Sequence, residues 1–325
     1  IDNWLKKNNW NYYNHQIETL KLSENGFDVL LVAPTGGGKT LAGFLPSLND
    51  LINNRSEKNK LHTLYISPLK ALTIDVHRNL NNPIEDQGLD IRVETRTGDT
   101  SAYKKNRQKV LPPHMLMTTP ESLALLLSNK ESKDYFKDLK YLIIDEIHVL
   151  VNSKRGDLLS LNLSRIHSIS PDCKRIGLSA TVKNKETVLK FLTSKNKAKI
   201  LNVKETSFPK IEILETKTRV PWSGHMASYA IKDIYQKIQK SSLTIVFVNT
   251  RAQAELVFNK LWQENDNNLR IAIHHGSLEK EIRRKVENLM SLGKIDCVVA
   301  TSSLDLGIDW GDVDLVIQIG SPKGI

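Results

Sequence analysis

The segment Val29-Leu30-Leu31-Val32-Ala33-Pro34-Thr35-Gly36-Gly37-Gly38-Lys39-Thr40 passes from a β-branched apolar run into a proline, three glycines, a lysine and a threonine. The apolar run predicts a strand. The glycines let successive backbone N–H groups curl around an anion, and the helix that should follow adds partial positive charge at its N-terminus. Strand, glycine loop and helix in this order describe a phosphate-binding loop. In such a loop Thr35, Gly36, Gly37 and Gly38 cradle phosphate oxygens, Lys39 reaches the β- and γ-phosphates, and the Thr40 hydroxyl ligates Mg²⁺. Ala33 stands where the pattern usually has glycine, which keeps a plain glycine-rich strand-to-helix turn as the alternative.

A phosphate loop of this kind needs an acidic partner for the metal. Tyr141-Leu142-Ile143-Ile144-Asp145-Glu146-Ile147-His148 supplies two carboxylates at the end of an apolar strand. Asp145 is the expected Mg²⁺ ligand, and Glu146 is the expected base that orients and deprotonates an attacking water. On its own the pair is equally a solvated strand end.

Outward from these motifs, short β-branched runs at 29–33, 63–67, 91–95, 115–118, 141–145, 176–179 and 199–203 alternate with helical patterns. Continuous apolar strands separated by amphipathic helices predict a doubly wound parallel sheet, with ligands beyond the carboxyl ends of its strands. The pattern loosens around 202–222, where Pro209 and Pro221 flank a short extended run at 211–215, and then restarts. Strands are expected at 243–248, 270–274, 296–300 and 313–319, with a charged helix at 279–292. This places a first α/β domain at 1–207 and a second at 208–325.

The 325 residues are 40% apolar and 25% charged, ordinary for two globular domains. Lys and Arg number 46 against 36 Asp and Glu, a net +10 that favours a polyanionic partner such as nucleic acid. Cys173 and Cys297 have no companions, so neither a disulfide framework nor a cysteine zinc site is expected, and a reducing compartment fits. No run approaches the roughly 18–20 apolar residues of a membrane span, and the first residues lack signal-peptide character. A cytoplasmic protein without a membrane partner is the expectation. Because residue 1 is isoleucine and the chain stops just after an expected strand, a fragment with an incomplete second domain is also expected.

Asp145-Glu146-Ile147-His148 resembles the DExH box of superfamily 2 helicases, proteins built on two tandem RecA-like domains. Ser179-Ala180-Thr181 is similar to that family's coupling motif. Ser67-Pro68-Leu69-Lys70-Ala71-Leu72, Thr118-Thr119-Pro120-Glu121-Ser122-Leu123, Phe247-Val248-Asn249-Thr250-Arg251 and the segment from Ala300 to Asp309 follow in the family's order across almost the whole chain. Arg96-Thr97-Gly98-Asp99-Thr100, Ser153-Lys154-Arg155-Gly156, His275-Gly276-Ser277-Leu278 and Gln318 to Gly324 point to the Lhr-type, ligase-associated DEXH-box DNA helicases.

The resemblance implies an ATP hydrolase with Mg²⁺, coupled to movement on single-stranded DNA, 3′ to 5′, in DNA repair with partners such as a ligase or nuclease. It implies that Gln16 reads the adenine edge, although taken alone Gln16 is equally a surface glutamine, and the nearby Trp10, Tyr12 and Tyr13 are equally core packing. It assigns Gly307 and Asp309 to the nucleotide and His148, Ser179 and Thr181 to coupling. Nucleic-acid contacts fall by position on Pro68, Lys70, Arg96, Thr97, Gly98, Thr119 and Glu121 in the first domain. In the second they fall on Thr250, Arg251, His275, Gly276, Thr301 and Ser302. Such contacts hold phosphate and sugar without reading sequence. In the family an arginine-rich helix follows Gly320 to Gly324, so this chain by itself is expected to bind ATP and hydrolyse it very poorly. The same motifs also serve RNA helicases and remodellers, and a nucleotide-gated clamp that does not unwind is a third reading. A GTPase is disfavoured because no Asn-Lys-x-Asp motif occurs.

Overall fold

The computed structural model describes residues 11–34, 36–54, 60–180, 182, 184–193, 197–203, 210–216, 227–301, 304 and 313–321. The chain divides into two compact units, Ile1–Phe208 and Pro209–Ile325.

In the first unit the apolar runs form β1 (Asp28–Val32), β2 (Thr63–Ile66), β3 (Val93–Arg96), β4 (Met115–Thr118), β5 (Tyr141–Ile144), β6 (Lys174–Ser179) and β7 (Ala198–Asn202). The helices are α1 (Asn14–Glu24), α2 (Lys39–Asn53), α3 (Lys70–Asp86), α4 (Ala102–Val110), α5 (Pro120–Leu127), α6 (Ser132–Phe136), α7 (Ile147–Leu150), α8 (Lys154–Ile169) and α9 (Lys185–Leu192). The sheet is parallel, in the order β3-β4-β2-β5-β6-β1-β7. Its register pairs Val29 with Ile176 and Thr63 with Tyr141. Alternation along β1 sends Leu30 and Val32 into one core and Val29 and Leu31 into another, one on each face. Burial on both faces explains why the inner strands β1, β2, β4 and β5 read as largely apolar runs.

Local sequence sets several helix starts. The Thr119 side chain accepts from the Ser122 N–H and Pro120 opens α5, while Ser101, Ser153 and Asn184 cap α4, α8 and α9 in the same way. Gly156 is required in α8 by close approach, since a Cβ there would lie 2.0 Å from the Leu150 carbonyl oxygen. Gly156→Ala is therefore expected to destabilise the fold by about 3 kcal/mol, the upper end of overpacking costs. A shift in the urea midpoint checks this, and an unchanged midpoint would show that α7 yields freely.

Strand edges differ from the sequence expectation by up to two residues. β3 and β11 start two residues later than expected, and β6, expected from 176, starts two earlier at Lys174. Polar Lys174 and Arg175 hide this start from a hydrophobic pattern. Arg175 is nonetheless buried, with its N–H on Asp28 and its guanidinium on the Leu163 and Leu192 carbonyls.

In the second unit α10 (Ile231–Ile238), β8 (Thr244–Phe247), α11 (Arg251–Gln263), β9 (Ile271–His274), α12 (Lys280–Ser291), β10 (Cys297–Ala300) and β11 (Leu315–Gln318) build a parallel sheet. The order of its four strands among the described residues is β11-β8-β10-β9. Val246, Cys297 and Val299 enter one core, and Ile245, Val298 and Ala300 the opposite one. The expected extended run at 211–215 forms no strand. Leu214 instead packs on the core of the second unit, and Glu212 approaches Lys237. Both cysteines are buried. Among the described residues no helix is long and apolar enough to cross a membrane, and no group of three or more His, Cys, Asp or Glu could hold a metal ion.

Candidate nucleotide site and strand-tip surface

The loop after β1 turns on glycine geometry. Gly36 and Gly38 have φ of 74° and 68°, in the left-handed region that side chains rarely adopt. A Cβ on Gly37 would lie 2.9 Å from the Pro34 oxygen, and one on Gly38 would lie 2.6 Å from Gln16 Nε2. Crowding at Gly37 and Gly38 and the left-handed backbone at Gly36 and Gly38 leave a cradle of bare backbone, which suits phosphate oxygens. Thr35 lies outside the described residues. Lys39, the first residue of α2, is buried and donates from Nζ to the Pro34 carbonyl at 3.0 Å. Burial lowers its pKa, an effect opposed by the nearby Glu146 and Asp145 carboxylates. Thr40 follows in the same turn, half-buried.

α1 is fastened onto this loop. Gln16 Oε1 accepts from the Tyr13 N–H at 2.9 Å, and its Nε2 donates to the Gly38 carbonyl at 3.1 Å. His15 Nε2 contacts the Gly37 carbonyl at 2.8 Å. Gln16 is therefore at the glycine loop, with both ends of its amide engaged. Sequence reading passed over His15, because a single histidine in a helix carries no pattern of its own.

The acidic pair stands two strands away from β1 at the tip of β5. Asp145 is 4% exposed; its Oδ1 accepts from the Glu146 N–H at 2.8 Å and its Oδ2 from the Tyr65 hydroxyl at 2.5 Å. Burial raises its pKa against those two donors and Lys39. Glu146 adopts φ 43°, ψ 43°, and burial, then the Asp145 charge, pushes its pKa up to about 7. A carboxyl that takes up a proton near neutrality is matched to base chemistry there. His148 Nδ1 lies 2.8 Å from Ser179 Oγ and 3.4 Å from Glu146 Oε2, and its pKa is lowered by burial and then by Lys39. Ser179 ends β6, so the loop, the acidic pair and this histidine–serine contact occupy the adjacent tips of β5, β6 and β1. Asp145 and Thr40 offer hard oxygen ligands of the kind Mg²⁺ takes. Thr181 lies outside the described residues.

The other candidate positions fall at the tips of β3, β4 and β2, the neighbouring half of the same edge. Lys70 is exposed at the start of α3 and donates to Asp99 Oδ1 at 3.0 Å, beside an exposed Gly98. Pro68, Thr97 and Thr119 are buried, and Thr119 is committed to capping α5. Glu121 forms a forked ion pair with Arg155, which holds its carboxyl below the usual range. Arg96 differs from the basic surface contact expected of it. It is 6% exposed, and its guanidinium donates to the Lys105 carbonyl at 2.9 Å and to Gln108, which fastens α4 to β3.

In the second unit Thr250 caps α11, and Arg251 donates to Ser277 Oγ at 3.0 Å. His275 is buried with Nε2 3.0 Å from Glu255 Oε1, while its Nδ1 is a buried atom without a hydrogen-bond partner. Gly276 has open space around it, and the Thr301 N–H donates to the His274 carbonyl. These residues follow β8, β9 and β10, which are contiguous in the sheet. Ser302, Gly307 and Asp309 lie outside the described residues.

Residues 13–188 match the DEAD/DEAH box helicase family, and residues 228–325 match the helicase conserved C-terminal domain. The ATP-dependent helicase Lhr-Core protein 2 of Thermococcus barophilus is 39% identical over 323 residues, covering 92% of this chain and 37% of that protein. The ATP-dependent helicase Lhr-Core of Methanothermobacter thermautotrophicus is 35% identical over 347 residues, covering 100% of this chain and 40% of that protein. The solved structure of Mycobacterium smegmatis helicase Lhr bound to ssDNA and AMP-PNP matches with a TM-score of 0.74 at 35% identity, over 94% of this chain and 41% of that one. The chain thus spans about two fifths of the length of these relatives. Both parallel-sheet units have the fold of RecA-like helicase cores. With the helicase family matched from the glycine loop through the Ser179 strand, and its C-terminal domain matched beyond, the chain belongs to the DEAD/DEAH box helicases of superfamily 2, in the Lhr type.

Proposed function

We propose that this chain couples ATP hydrolysis to 3′-to-5′ movement along single-stranded DNA, as the motor core of a helicase that acts in DNA repair. The observation that carries this reading is the sorting of one sheet edge. The glycine loop, Asp145, Glu146 and Ser179 lie at the tips of β1, β5 and β6, and Lys70, Gly98 and Thr119 follow the neighbouring β2, β3 and β4. Mg²⁺, held by Asp145 and Thr40, would neutralise charge on the nucleotide phosphates. Gly36, Gly37 and Gly38 orient those phosphates, Lys39 places a cation on them, and Glu146 accepts a proton from the attacking water. Gln16, with Gly307 and Asp309, completes the nucleotide contacts. His148 and Ser179, joined by their contact and followed by Thr181, carry the nucleotide state onward. Pro68, Lys70, Thr97, Gly98, Thr119 and Glu121, with Thr250, Arg251, His275, Gly276, Thr301 and Ser302, grip the strand. For Arg96 the proposed part is to anchor α4 behind Thr97 and Gly98. Single-stranded DNA is favoured over RNA because the Mycobacterium smegmatis Lhr structure holds ssDNA. The proposed substrates, ATP and DNA, give a cytoplasmic setting.

The test is ATP turnover by the full-length protein without nucleic acid, with single-stranded DNA and with single-stranded RNA, beside a strand-displacement assay. DNA-specific stimulation with displacement supports the reading. Stimulation without displacement identifies a clamp, and preference for RNA identifies an RNA remodeller. DNA affinity should be indifferent to base sequence and fall steeply with salt, by roughly 0.7 log units per neutralised phosphate for each tenfold rise in salt. A flat salt titration by fluorescence anisotropy would overturn a phosphate-based grip.

A further inference from the structure

We infer that Tyr65 is a positioning residue that ties the nucleic-acid half of the sheet edge to the metal-holding carboxylate, so that strand contact and Mg²⁺–nucleotide binding act on each other through its hydroxyl. This rests on the roles proposed above for Asp145, Pro68 and Lys70. Tyr65 lies in β2, fully buried, with its ring stacked on Phe44 of α2 at 5.2 Å. A phenylalanine would fill this space without burying a hydroxyl, which is costly unless bonded. Here the hydroxyl is bonded, donating to Asp145 Oδ2 at 2.5 Å.

The connection continues in both directions. The Asp145 N–H donates to the Ile66 carbonyl at 2.9 Å, so backbone and side chain both join β2 to the acidic tip. Ser67 follows directly on β2, two positions after Tyr65 and next to Ile66. Ser67 Oγ accepts from the N–H of Leu69, the residue immediately before α3 and Lys70. A path thus runs from the start of α3, where the strand is proposed to be gripped, through Ser67 and the end of β2 to Asp145. With Oδ1 held by the Glu146 N–H and Oδ2 by Tyr65, the carboxylate has two fixed donors and retains acceptor sites for a metal or its water. A displacement of Pro68 and Lys70 by a bound strand moves Ser67 and Tyr65, and the carboxylate follows.

The test uses the full-length protein and Tyr65→Phe, which keeps the ring and removes the hydroxyl. Mg²⁺-dependent binding of a fluorescent ATP analogue should need about tenfold more Mg²⁺ for half-saturation, the scale of one hydrogen bond to a charged group. Stimulation of ATP turnover by an oligo-dT strand should fall about tenfold, while oligo-dT affinity by anisotropy stays at the wild-type value. Wild-type Mg²⁺ dependence and wild-type stimulation in the variant would overturn the inference. In wild-type protein, oligo-dT alone should slow amide exchange at Asp145 and Glu146, and unchanged exchange there would overturn it even if Tyr65→Phe fails to fold. If the wild type shows neither Mg²⁺-dependent nucleotide binding nor stimulation, the proposed function itself fails.

Discussion

Glu146→Gln in the full-length protein is expected to bind ATP with wild-type affinity and to hydrolyse it at least about 10²-fold more slowly, the scale of general-base catalysis. Glutamine keeps the size and hydrogen-bonding reach of the side chain and loses only the ability to take a proton. The backbone at Glu146, in the left-handed region, aims the side chain from the tip of β5 next to Asp145 and within 3.4 Å of His148. Its pKa of about 7, raised by burial and by Asp145, leaves it able to exchange a proton near neutrality. Turnover and equilibrium binding of a fluorescent ATP analogue measure the two halves of the prediction. Wild-type turnover in the variant would remove Glu146 from the role of base.

The same shift predicts a stability effect that needs no catalysis. A carboxyl whose folded pKa exceeds its unfolded value favours the folded state while protonated and loses that contribution as pH rises from 4.5 toward about 7. Glu146→Gln cannot ionise. Its melting temperature without ligand should therefore exceed the wild-type value at pH 8, with the gap closing at pH 5. A gap that widened on acidification would contradict the burial that sets this pKa.

Lys39→Ala is expected to fail one step earlier, at ATP binding. Lys39 is a buried cation between the glycine cradle and two carboxylates. Without it, phosphates entering the loop would face Asp145 and Glu146 with no opposing charge. Removing one partner of a buried charge pair costs roughly 3 kcal/mol, about 10²-fold in affinity. Lys39→Arg is not a conservative rescue, because a planar guanidinium fork does not reproduce the single ammonium that donates to the Pro34 carbonyl at 3.0 Å. Near-wild-type nucleotide affinity in Lys39→Ala would show that the backbone cradle alone holds the phosphates.

The fold class, most of each strand and the glycine turn that opens α2 are legible in the sequence. Burial on both faces writes a largely apolar run into the inner strands β1, β2, β4 and β5, and left-handed backbone in the loop that follows β1 calls for glycine. These are local requirements, so local sequence carries them. Strand order is not local. Ser67, Arg96, Thr119, Asp145 and Ser179 are scattered along the chain, and only the order β3-β4-β2-β5-β6-β1 brings them to neighbouring tips along one edge of the sheet. Arg96 reads as a surface cation until the hydrogen bonds to Lys105 and Gln108 take it inside. Arg175, polar at the start of β6, becomes a core residue only because Asp28, Leu163 and Leu192 meet there. Tyr65 reads as one more aromatic in an apolar strand, and what singles it out is a hydrogen bond to a carboxylate 80 positions away. Sequence determined which groups this protein possesses and the turns that hold them. Tertiary structure decided which of them meet, because the partner that satisfies a buried polar group is supplied by a distant strand, and no local periodicity records it.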